Sequence, residues 1–353
     1  MTALVPVIDI SSWTSGDPLE QVRLATEVDR ACREVGFLQI VGHGVPQEVI
    51  DAMLAGSDAL FGLPDDVKLA TTSPAAEINR GYAALGTESL TYSLGVETPP
   101  DLFEAFNIGP EPVDETDPAI AAERHRIFAA NIWPAADAPS LDVDELRDAW
   151  LAYFGEVAAL ARRLTSIFAL ALGLDVDFFV DKTDHSTDTL RVIRYERQPG
   201  SPDPLPGQVR MGAHSDYGIV TVLYADAVPG LEIVGPDGQW HGVVPVDGAF
   251  LVNLGDLLAE WTNDRWRSTL HRVTPPPVGD ETPALRRSAA FFHDGNYDAL
   301  VEVLETCCSP ENPPRYAPIL AGDHLMAKLT APRNQVASTA TDFAGDRLDA
   351  VTG

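Results

Sequence analysis

The chain has 353 residues, 45% of them hydrophobic, which is enough for one large domain or two with a sizeable apolar core. Its 53 acidic and 24 basic residues give a formal charge of −29, which argues against nucleic acid as a partner and against a polybasic membrane anchor. The three cysteines imply no disulfide framework, and neither a signal peptide nor a membrane-spanning apolar stretch is apparent. We therefore expect a cytoplasmic protein with no membrane or nucleic-acid partner.

The sequence of the N-terminal third predicts alternating strands and helices, because its apolar runs alternate between strand spacing and helical spacing. Glycine and proline mark where these runs end. Residues 71–117 lack periodicity and predict a long irregular segment, either functional or a plain connection. The predicted elements are, in chain order, a strand at 5–10, a helix at 17–35, a strand at 37–41 and a helix at 46–61.

The strongest helical pattern spans residues 142–172 and carries a single apolar stripe. Asp142 and Glu145 resemble a capping box at its start, and Gly173 is a stop signal at its end. We expect this helix to pack against a β-sheet core and to support it.

From residue 189 onward the pattern changes to short strands separated by proline and glycine turns, which is typical of a sandwich or barrel. The loop at 199–206 is rich in proline and is a candidate lid, and residues 321–329 predict a final helix. The predicted strands are 189–196, 209–214, 219–224, 231–235, 249–254, 269–273 and 286–292. The predicted divisions are an N-terminal region packing on the core (1–117), a helical buttress (118–185), the core (186–296) and a C-terminal helix with its tail (297–353).

Two histidines and an aspartate have the spacing of a mononuclear metal site. If the chain is extended around residues 212–216, His214 and Asp216 point to the same side and Ser215 points away. His271 can supply a third ligand from another strand. Two histidines and one carboxylate leave three positions of an octahedron open, which is typical of non-haem Fe(II) oxygenases. Zinc accepts the same ligands but has no redox chemistry.

Arg286 and Ser288 repeat this two-residue spacing in front of an apolar run. A guanidinium beside a hydroxyl suits a carboxylate, which it binds through forked, charge-assisted hydrogen bonds. Because the run predicts a buried strand, the charge of Arg286 requires a partner. A dicarboxylic co-substrate fits, with one end on the metal and the other on Arg286.

Several segments together resemble the isopenicillin N synthase-like family of Fe(II)/2-oxoglutarate-dependent dioxygenases over roughly residues 5–329. The resemblance lies in the motif around His214, the stretch Val252–Asp256, the N-terminal strands near residues 5–9 and 36–45, and the segments 80–82 and 104–106. It implies a mainly β fold with flanking helices (α+β), built on a distorted double-stranded β-helix, or jelly roll.

The resemblance also assigns roles to residues. His214, Asp216 and His271 become ligands of Fe(II), and Arg286 and Ser288 bind the far carboxylate of 2-oxoglutarate. Tyr195 stands where the family often places a tyrosine lining the pocket. Its neighbours Arg194 and Glu196 depart from the family pattern.

The residues that select the prime substrate are predicted to lie in loops near residues 80–106 and 196–210, with Arg80, Tyr82 and Phe106 as candidates. Since the chain is strongly negative, an acidic substrate would need a local positive anchor, which Arg80 could provide. Alternatively, Arg80 pairs with a nearby acid such as Glu77 or Glu104 and only fixes the loop.

The predicted function is oxidation of a small molecule by O2 and 2-oxoglutarate, as hydroxylation, desaturation or ring closure, in specialised metabolism. Three alternatives stay open: an oxidase of the same fold that needs no 2-oxoglutarate, an ethylene-forming variant, and a non-catalytic β-barrel binding protein. The sequence identifies neither the substrate nor the oligomeric state.

Overall fold

Two unequal β-sheets pack face to face in the computed structural model, which describes residues 4–196, 204–275 and 285–334. The larger sheet has eight strands in the order β1-β2-β10-β7-β12-β5-β4-β3, and the smaller has four in the order β6-β11-β8-β9. Neighbouring strands are antiparallel except β1 and β2. The strands are β1 (Val7–Asp9), β2 (Phe37–Val41), β3 (Gly81–Ala83), β4 (Glu104–Ile108), β5 (Thr189–Tyr195), β6 (Met211–His214), β7 (Val220–Ala225), β8 (Leu231–Val234), β9 (Trp240–Gly242), β10 (Phe250–Leu254), β11 (His271–Val273), β12 (Arg286–His293), β13 (Leu300–Val301) and β14 (Ile319–Leu320).

The helices lie outside this sandwich. Short 3-10 turns at Ser11–Ser15, Leu90–Leu94, Val180–Lys182 and Glu305–Cys307 connect the elements. Within the described ranges, no helix combines the length and apolarity that crossing a bilayer requires. The α-helices are α1 (Pro18–Glu34), α2 (Gln47–Phe61), α3 (Asp65–Leu69), α4 (Pro118–Ala122), α5 (Val143–Ala171), α6 (Asp256–Trp261) and α7 (Ala321–Asn334).

Helix α5 is the support predicted for the core, and its start is capped as expected, since the Asp142 carboxylate accepts from the Glu145 N–H at 3.0 Å. It packs between the large sheet and helices α1 and α2. Phe154 of α5 meets Phe291 of β12 edge to face, with ring centroids 5.0 Å apart. Trp150 is fully buried and donates its indole N–H to the Met53 carbonyl of α2 at 3.1 Å.

Strand β12 shows how the large sheet divides its two faces. Phe291 belongs to the core beneath α5, whereas Arg286, Ser288, Ala290 and Phe292 line a pocket on the other face. This alternation follows from the period of two in a strand. The pocket is therefore enclosed by the inner face of the large sheet and by the small sheet.

An imidazole connects the segment before β5 to the segment after β12. The ring nitrogens of His185 lie 2.6 Å from an oxygen of Asp184 and 2.8 Å from an oxygen of Asp298. Burial would lower the pKa of His185, but hydrogen bonds and charge from Asp298 and Asp184 outweigh it and raise the pKa.

Most predicted elements appear within a few residues of their expected bounds, and the predicted fold class is confirmed. The segment 71–117 is the main correction, because it contains β3, β4 and the turn Leu90–Leu94 and so completes one edge of the large sheet. Elements as short as β3, β9 and α6 are too brief to give a periodic signal. Residues 199–203 of the predicted lid and 335–353 of the tail lie outside the described residues. The domain division stays a prediction.

Candidate active site

The three predicted metal ligands converge at one end of the small sheet. His214 ends β6, His271 begins β11, and the two residues lie directly opposite each other in the antiparallel pairing. Asp216 Oδ1 lies 3.8 Å from His214 Nε2 and 3.7 Å from His271 Nε2. All three side chains are buried, and one ligand atom from each lies within 4.8 Å of the others. A single metal ion fits this geometry.

Both imidazoles are oriented by backbone carbonyls. His214 Nδ1 lies 2.8 Å from the Gly212 oxygen, and His271 Nδ1 lies 3.1 Å from the Thr269 oxygen. Because a carbonyl only accepts, each Nδ1 donates and each Nε2 keeps its lone pair for a metal. Burial, followed by the charge of the nearby His271, lowers the pKa of His214, which favours the neutral ring that a metal ligand must have.

The Asp216 carboxylate is held by two neutral donors. Its Oδ2 accepts from Asn253 Nδ2 at 2.6 Å and from the Thr221 hydroxyl, leaving Oδ1 toward the histidines. Ser215 points the other way, as expected, and donates to Asp256 at 3.0 Å. Reasoning from the sequence assigned no role to Thr221 or Asn253, although an asparagine inside an apolar strand was an available signal.

Arg286 and Ser288 lie in the same pocket and are 1% and 2% exposed. Arg286 Nε and Nη1 are buried and have no hydrogen-bond partner in the described part of the chain. Such an unsatisfied guanidinium is costly to bury without an anion, which makes this position suited to a ligand carboxylate. Burial, followed by the charge of Arg286, lowers the pKa of Arg210, so a second guanidinium lies within electrostatic reach.

Tyr195 completes this end of the pocket. It lies opposite Arg286 in the pairing of β5 with β12, and the Arg286 guanidinium carbon is 5.1 Å from the centre of its ring. Its hydroxyl also interacts with Ser288. Tyr195 therefore shapes the place where the carboxylate would bind, as the sequence predicted.

Further polar groups reach the pocket that the sequence did not indicate. Glu88 and Arg191 form an ion pair at 2.6 Å, and Asn79 lines the wall. Asp294 also lines it, and burial, followed by the charges of Asp188 and Asp216, raises its pKa well above the usual value. The apolar and aromatic lining consists of Leu90, Ile193, Met211, Tyr217, Leu223, Leu231, Val273, Ala290, Phe292, Leu325 and Leu329.

Helix α7 covers part of this pocket through Leu325 and Leu329. Lys328, between them, forms an ion pair with Asp256, and both side chains are 11% exposed. Burial would raise the pKa of Asp256, but the charge and hydrogen bond of Lys328 outweigh this and lower it. Asp256 also accepts from Ser215, so α7 is tied to the segment that carries Asp216.

The structure corrects the prediction for Arg80 as a substrate anchor. Its guanidinium is buried and donates to the carbonyls of Asn79 at 2.7 Å, Ile127 at 2.9 Å and Ala129 at 3.2 Å. These three carbonyls hold the guanidinium in place and fix its loop. The neighbouring Asn79 is the residue that lines the pocket.

The predictions that Tyr82 and Phe106 contact the substrate are also corrected, because both side chains point away from the pocket. The Tyr82 hydroxyl donates to Glu104 at 2.6 Å, away from the metal ligands, and Phe106 packs on Trp150 with ring centroids 5.6 Å apart. Both residues belong to the core beneath α5 and not to the pocket lining.

Comparisons with known proteins agree with this geometry. The family model of the 2OG-Fe(II) oxygenase superfamily matches residues 187–295, which include all the residues predicted to bind the metal or the 2-oxoglutarate carboxylate. The family model of the non-haem dioxygenase in morphine synthesis N-terminal region matches residues 5–136. The 2-oxoglutarate-Fe(II) type oxidoreductase hxnY of Emericella nidulans is 34% identical over 319 residues, covering 90% of this chain and 87% of its own. Validamycin A dioxygenase of Streptomyces hygroscopicus subsp. limoneus is 33% identical, covering 85% and 79%.

Solved structures show the same fold. A full-length Neurospora crassa protein, solved in complex with alpha-KG, which is 2-oxoglutarate, superimposes with a TM-score of 0.80 at 29% identity. The match covers 93% of this chain and 96% of that one. A second structure of the same Neurospora crassa protein contains alpha-KG and thymine.

Proposed function

Since this chain belongs to the Fe(II)/2-oxoglutarate-dependent dioxygenases, we propose that it hydroxylates a C–H bond of a small organic molecule. It is an oxidoreductase whose family uses Fe(II), 2-oxoglutarate and O2. Of the relatives described above, one is a validamycin A dioxygenase and another is solved with thymine, and both compounds are small polar molecules. Hydroxylation is the finer part of the proposal; desaturation or ring closure would use the same residues.

In the proposed site, His214, Asp216 and His271 hold the iron, which when bound supplies the redox chemistry that couples 2-oxoglutarate decarboxylation to substrate oxidation. The two imidazoles present Nε2 because their Nδ1 atoms are engaged with carbonyls. Thr221 and Asn253 fix the Asp216 carboxylate through its Oδ2, so its Oδ1 would stay directed toward the iron.

The observation that carries the proposal is the Arg286 guanidinium, buried in the same pocket as the triad, whose Nε and Nη1 have no hydrogen-bond partner among the described residues. The far carboxylate of 2-oxoglutarate would satisfy Nε and Nη1, with Ser288 adding a hydroxyl. The mainly apolar walls limit water around the reacting atoms, which strengthens these polar contacts.

The test is the consumption of 2-oxoglutarate by the iron-loaded enzyme in air. Release of succinate in the absence of prime substrate, and one succinate per oxidised product once a substrate is found, would support the proposal. Turnover of a substrate without succinate would identify a 2-oxoglutarate-independent oxidase. Ethylene in the headspace would identify fragmentation of 2-oxoglutarate itself.

The same proposal places the enzyme in the cytoplasm. The unpaired thiols of Cys32, Cys307 and Cys308 support this, because a reducing compartment keeps cysteines free. Fractionation of source cells with an antibody against the chain would test it.

A further inference from the structure

The pair formed by Glu88 and Arg191 lies in the pocket but is required by neither iron nor 2-oxoglutarate. Arg191 and Tyr195 project from the same face of β5, four residues apart. Their backbones are thus separated by about 13 Å at the usual rise of a strand. The five-carbon chain of 2-oxoglutarate, held at Arg286 beside Tyr195, is shorter than this separation. Arg191 is therefore available to a second ligand.

Arg191 is only partly satisfied by the protein. It is 8% exposed, and its Nη2 donates to Glu88 Oε2 at 2.6 Å. Its Nε is buried without a hydrogen-bond partner in the described ranges. The guanidinium also lies over the ring of Phe103, 5.1 Å from the centroid, which keeps it in place. A buried donor of this kind still has a hydrogen bond to make, which an acceptor on a ligand in the pocket can supply.

Glu88 decides the charge that this ligand can carry. Its carboxylate is buried and lies against Arg191 with the opposite charge. An acidic ligand placed against Arg191 would lie beside Glu88, and an amine placed against Glu88 would lie beside Arg191, so both meet a like charge. A neutral group with one acceptor and one donor meets neither penalty. The oxygens of a carboxylate have several acceptor positions, so Glu88 can bind Arg191 and a ligand N–H together.

The surroundings of the pair favour a flat ligand. Ala290 lies opposite Arg191 in β12 and leaves space in front of the guanidinium. Tyr217 and Phe292 contribute aromatic surface to the same pocket, and aromatic faces stack well on planar rings. The Asn79 segment, fixed by Arg80, adds a side-chain amide.

We infer that Glu88 and Arg191 are the specificity-determining residues, and that the prime substrate is a neutral, planar cyclic amide or imide. Its carbonyl oxygen accepts from Arg191, and its adjacent N–H donates to Glu88. This inference rests on the proposed function, because it assigns the substrate of that same pocket.

The experiment is an anaerobic titration of the enzyme loaded with Fe(II) and 2-oxoglutarate. The readout is the change in the iron-to-2-oxoglutarate charge-transfer absorption when a second ligand binds. The probes are 2-pyridone and uracil, 1-methyl-2-pyridone (which lacks the N–H), benzoate and benzylamine. We expect 2-pyridone or uracil to perturb the band, with 1-methyl-2-pyridone weaker than 2-pyridone by about tenfold or more. Stronger binding of benzoate or benzylamine, equal binding of the methylated probe, or no response to any probe would overturn the inference.

Two variants test the residues themselves. Arg191→Lys should weaken binding of the lactam by about tenfold or more, because an ammonium cannot reproduce the planar donor set. Glu88→Gln removes the compensating charge and should shift preference toward benzoate, a reversal that a merely structural role would not produce. Arg194→Lys is the matched control, since Arg194 lies on the same strand but points to the other face and pairs with Glu104 and Glu196.

The same titration distinguishes a failure of the proposed function from a failure of the substrate inference. Absence of the charge-transfer band before any probe is added would contradict the binding of 2-oxoglutarate, whereas a normal band with the wrong probe preference would contradict only the substrate inference. Unchanged probe preference in both Glu88→Gln and Arg191→Lys would likewise overturn it.

Discussion

Replacing Arg286 by lysine tests the carboxylate site most directly. In the structure this guanidinium has buried, unpaired Nε and Nη1 atoms, and none of its described contacts is with an acid. A bound carboxylate would thus be its main charged partner. Lysine keeps the charge but loses the two-nitrogen fork, so we expect 2-oxoglutarate binding to weaken by about 2–4 kcal/mol. This corresponds to a dissociation constant about 30- to 700-fold higher.

The assay is anaerobic titration of the Fe(II) enzyme with 2-oxoglutarate, followed by the charge-transfer absorption. Comparing 2-oxoglutarate with a second 2-oxo acid makes the test of the carboxylate site more specific. 2-Oxobutyrate has the same chelating end but no far carboxylate, so the wild type should discriminate strongly against it and Arg286→Lys should lose most of that discrimination. Ser288→Ala removes one neutral hydrogen bond and should cost about 1 kcal/mol.

The control is Arg287→Lys, because Arg287 is the next residue in β12, faces away from the pocket and pairs with Asp58 and Asp226. It should leave both affinities unchanged. If Arg286→Lys binds 2-oxoglutarate as tightly as the wild type does, the far carboxylate binds elsewhere and the reasoning from the unpaired guanidinium fails.

Three further predictions concern the metal, the helix over the pocket and pH. His271→Ala should abolish stoichiometric Fe(II) binding and succinate formation while the circular dichroism spectrum stays native; full activity with iron bound would contradict the ligand assignment. Lys328→Met removes the lysine partner of the buried Asp256 carboxylate and should lower the free energy of unfolding by about 3 kcal/mol in urea titrations; an unchanged midpoint would show that the ion pair does not hold α7. His185→Gln should reduce the free energy of unfolding by up to about 1 kcal/mol below pH 6.5, the ordinary pKa of histidine, and by less at alkaline pH. The raised folded-state pKa stabilises the fold only while the ring is protonated, so an equal loss at both pH values would contradict this prediction.

The metal site was predictable because its signal is local. His214 and Asp216 lie two residues apart next to a strand, and this spacing holds whatever the rest of the chain does. The buried position of Arg286 in the pocket was predictable for a related reason, since a charge at the start of an apolar strand must have a partner.

The substrate end was not predictable, because its residues meet only through the fold. Glu88 and Arg191 are 103 positions apart, and the ion pair forms only when the fold brings the segment before the turn Leu90–Leu94 to the Arg191 side chain of β5. The irregular segment was correctly predicted to contribute residues to the pocket. Within it, however, Arg80 was predicted as the contact instead of the smaller, uncharged Asn79 beside it. Arg80 satisfies three carbonyls inside the protein, and that leaves Asn79 at the pocket wall.

The pairing of β5 with β12 places both ends of the pocket on one surface. Arg286 lies opposite Tyr195 at the carboxylate end, and Ala290 lies opposite Arg191 toward the substrate end. A slip of one residue in this pairing would turn both ends away from the pocket together, so the register is under a common constraint. The register does not constrain which side chains occupy the substrate end. Arg191 is opposed by a small alanine and compensated by a residue from a distant turn, so substitutions at Glu88 and Arg191 can change the substrate without moving the iron ligands or Arg286.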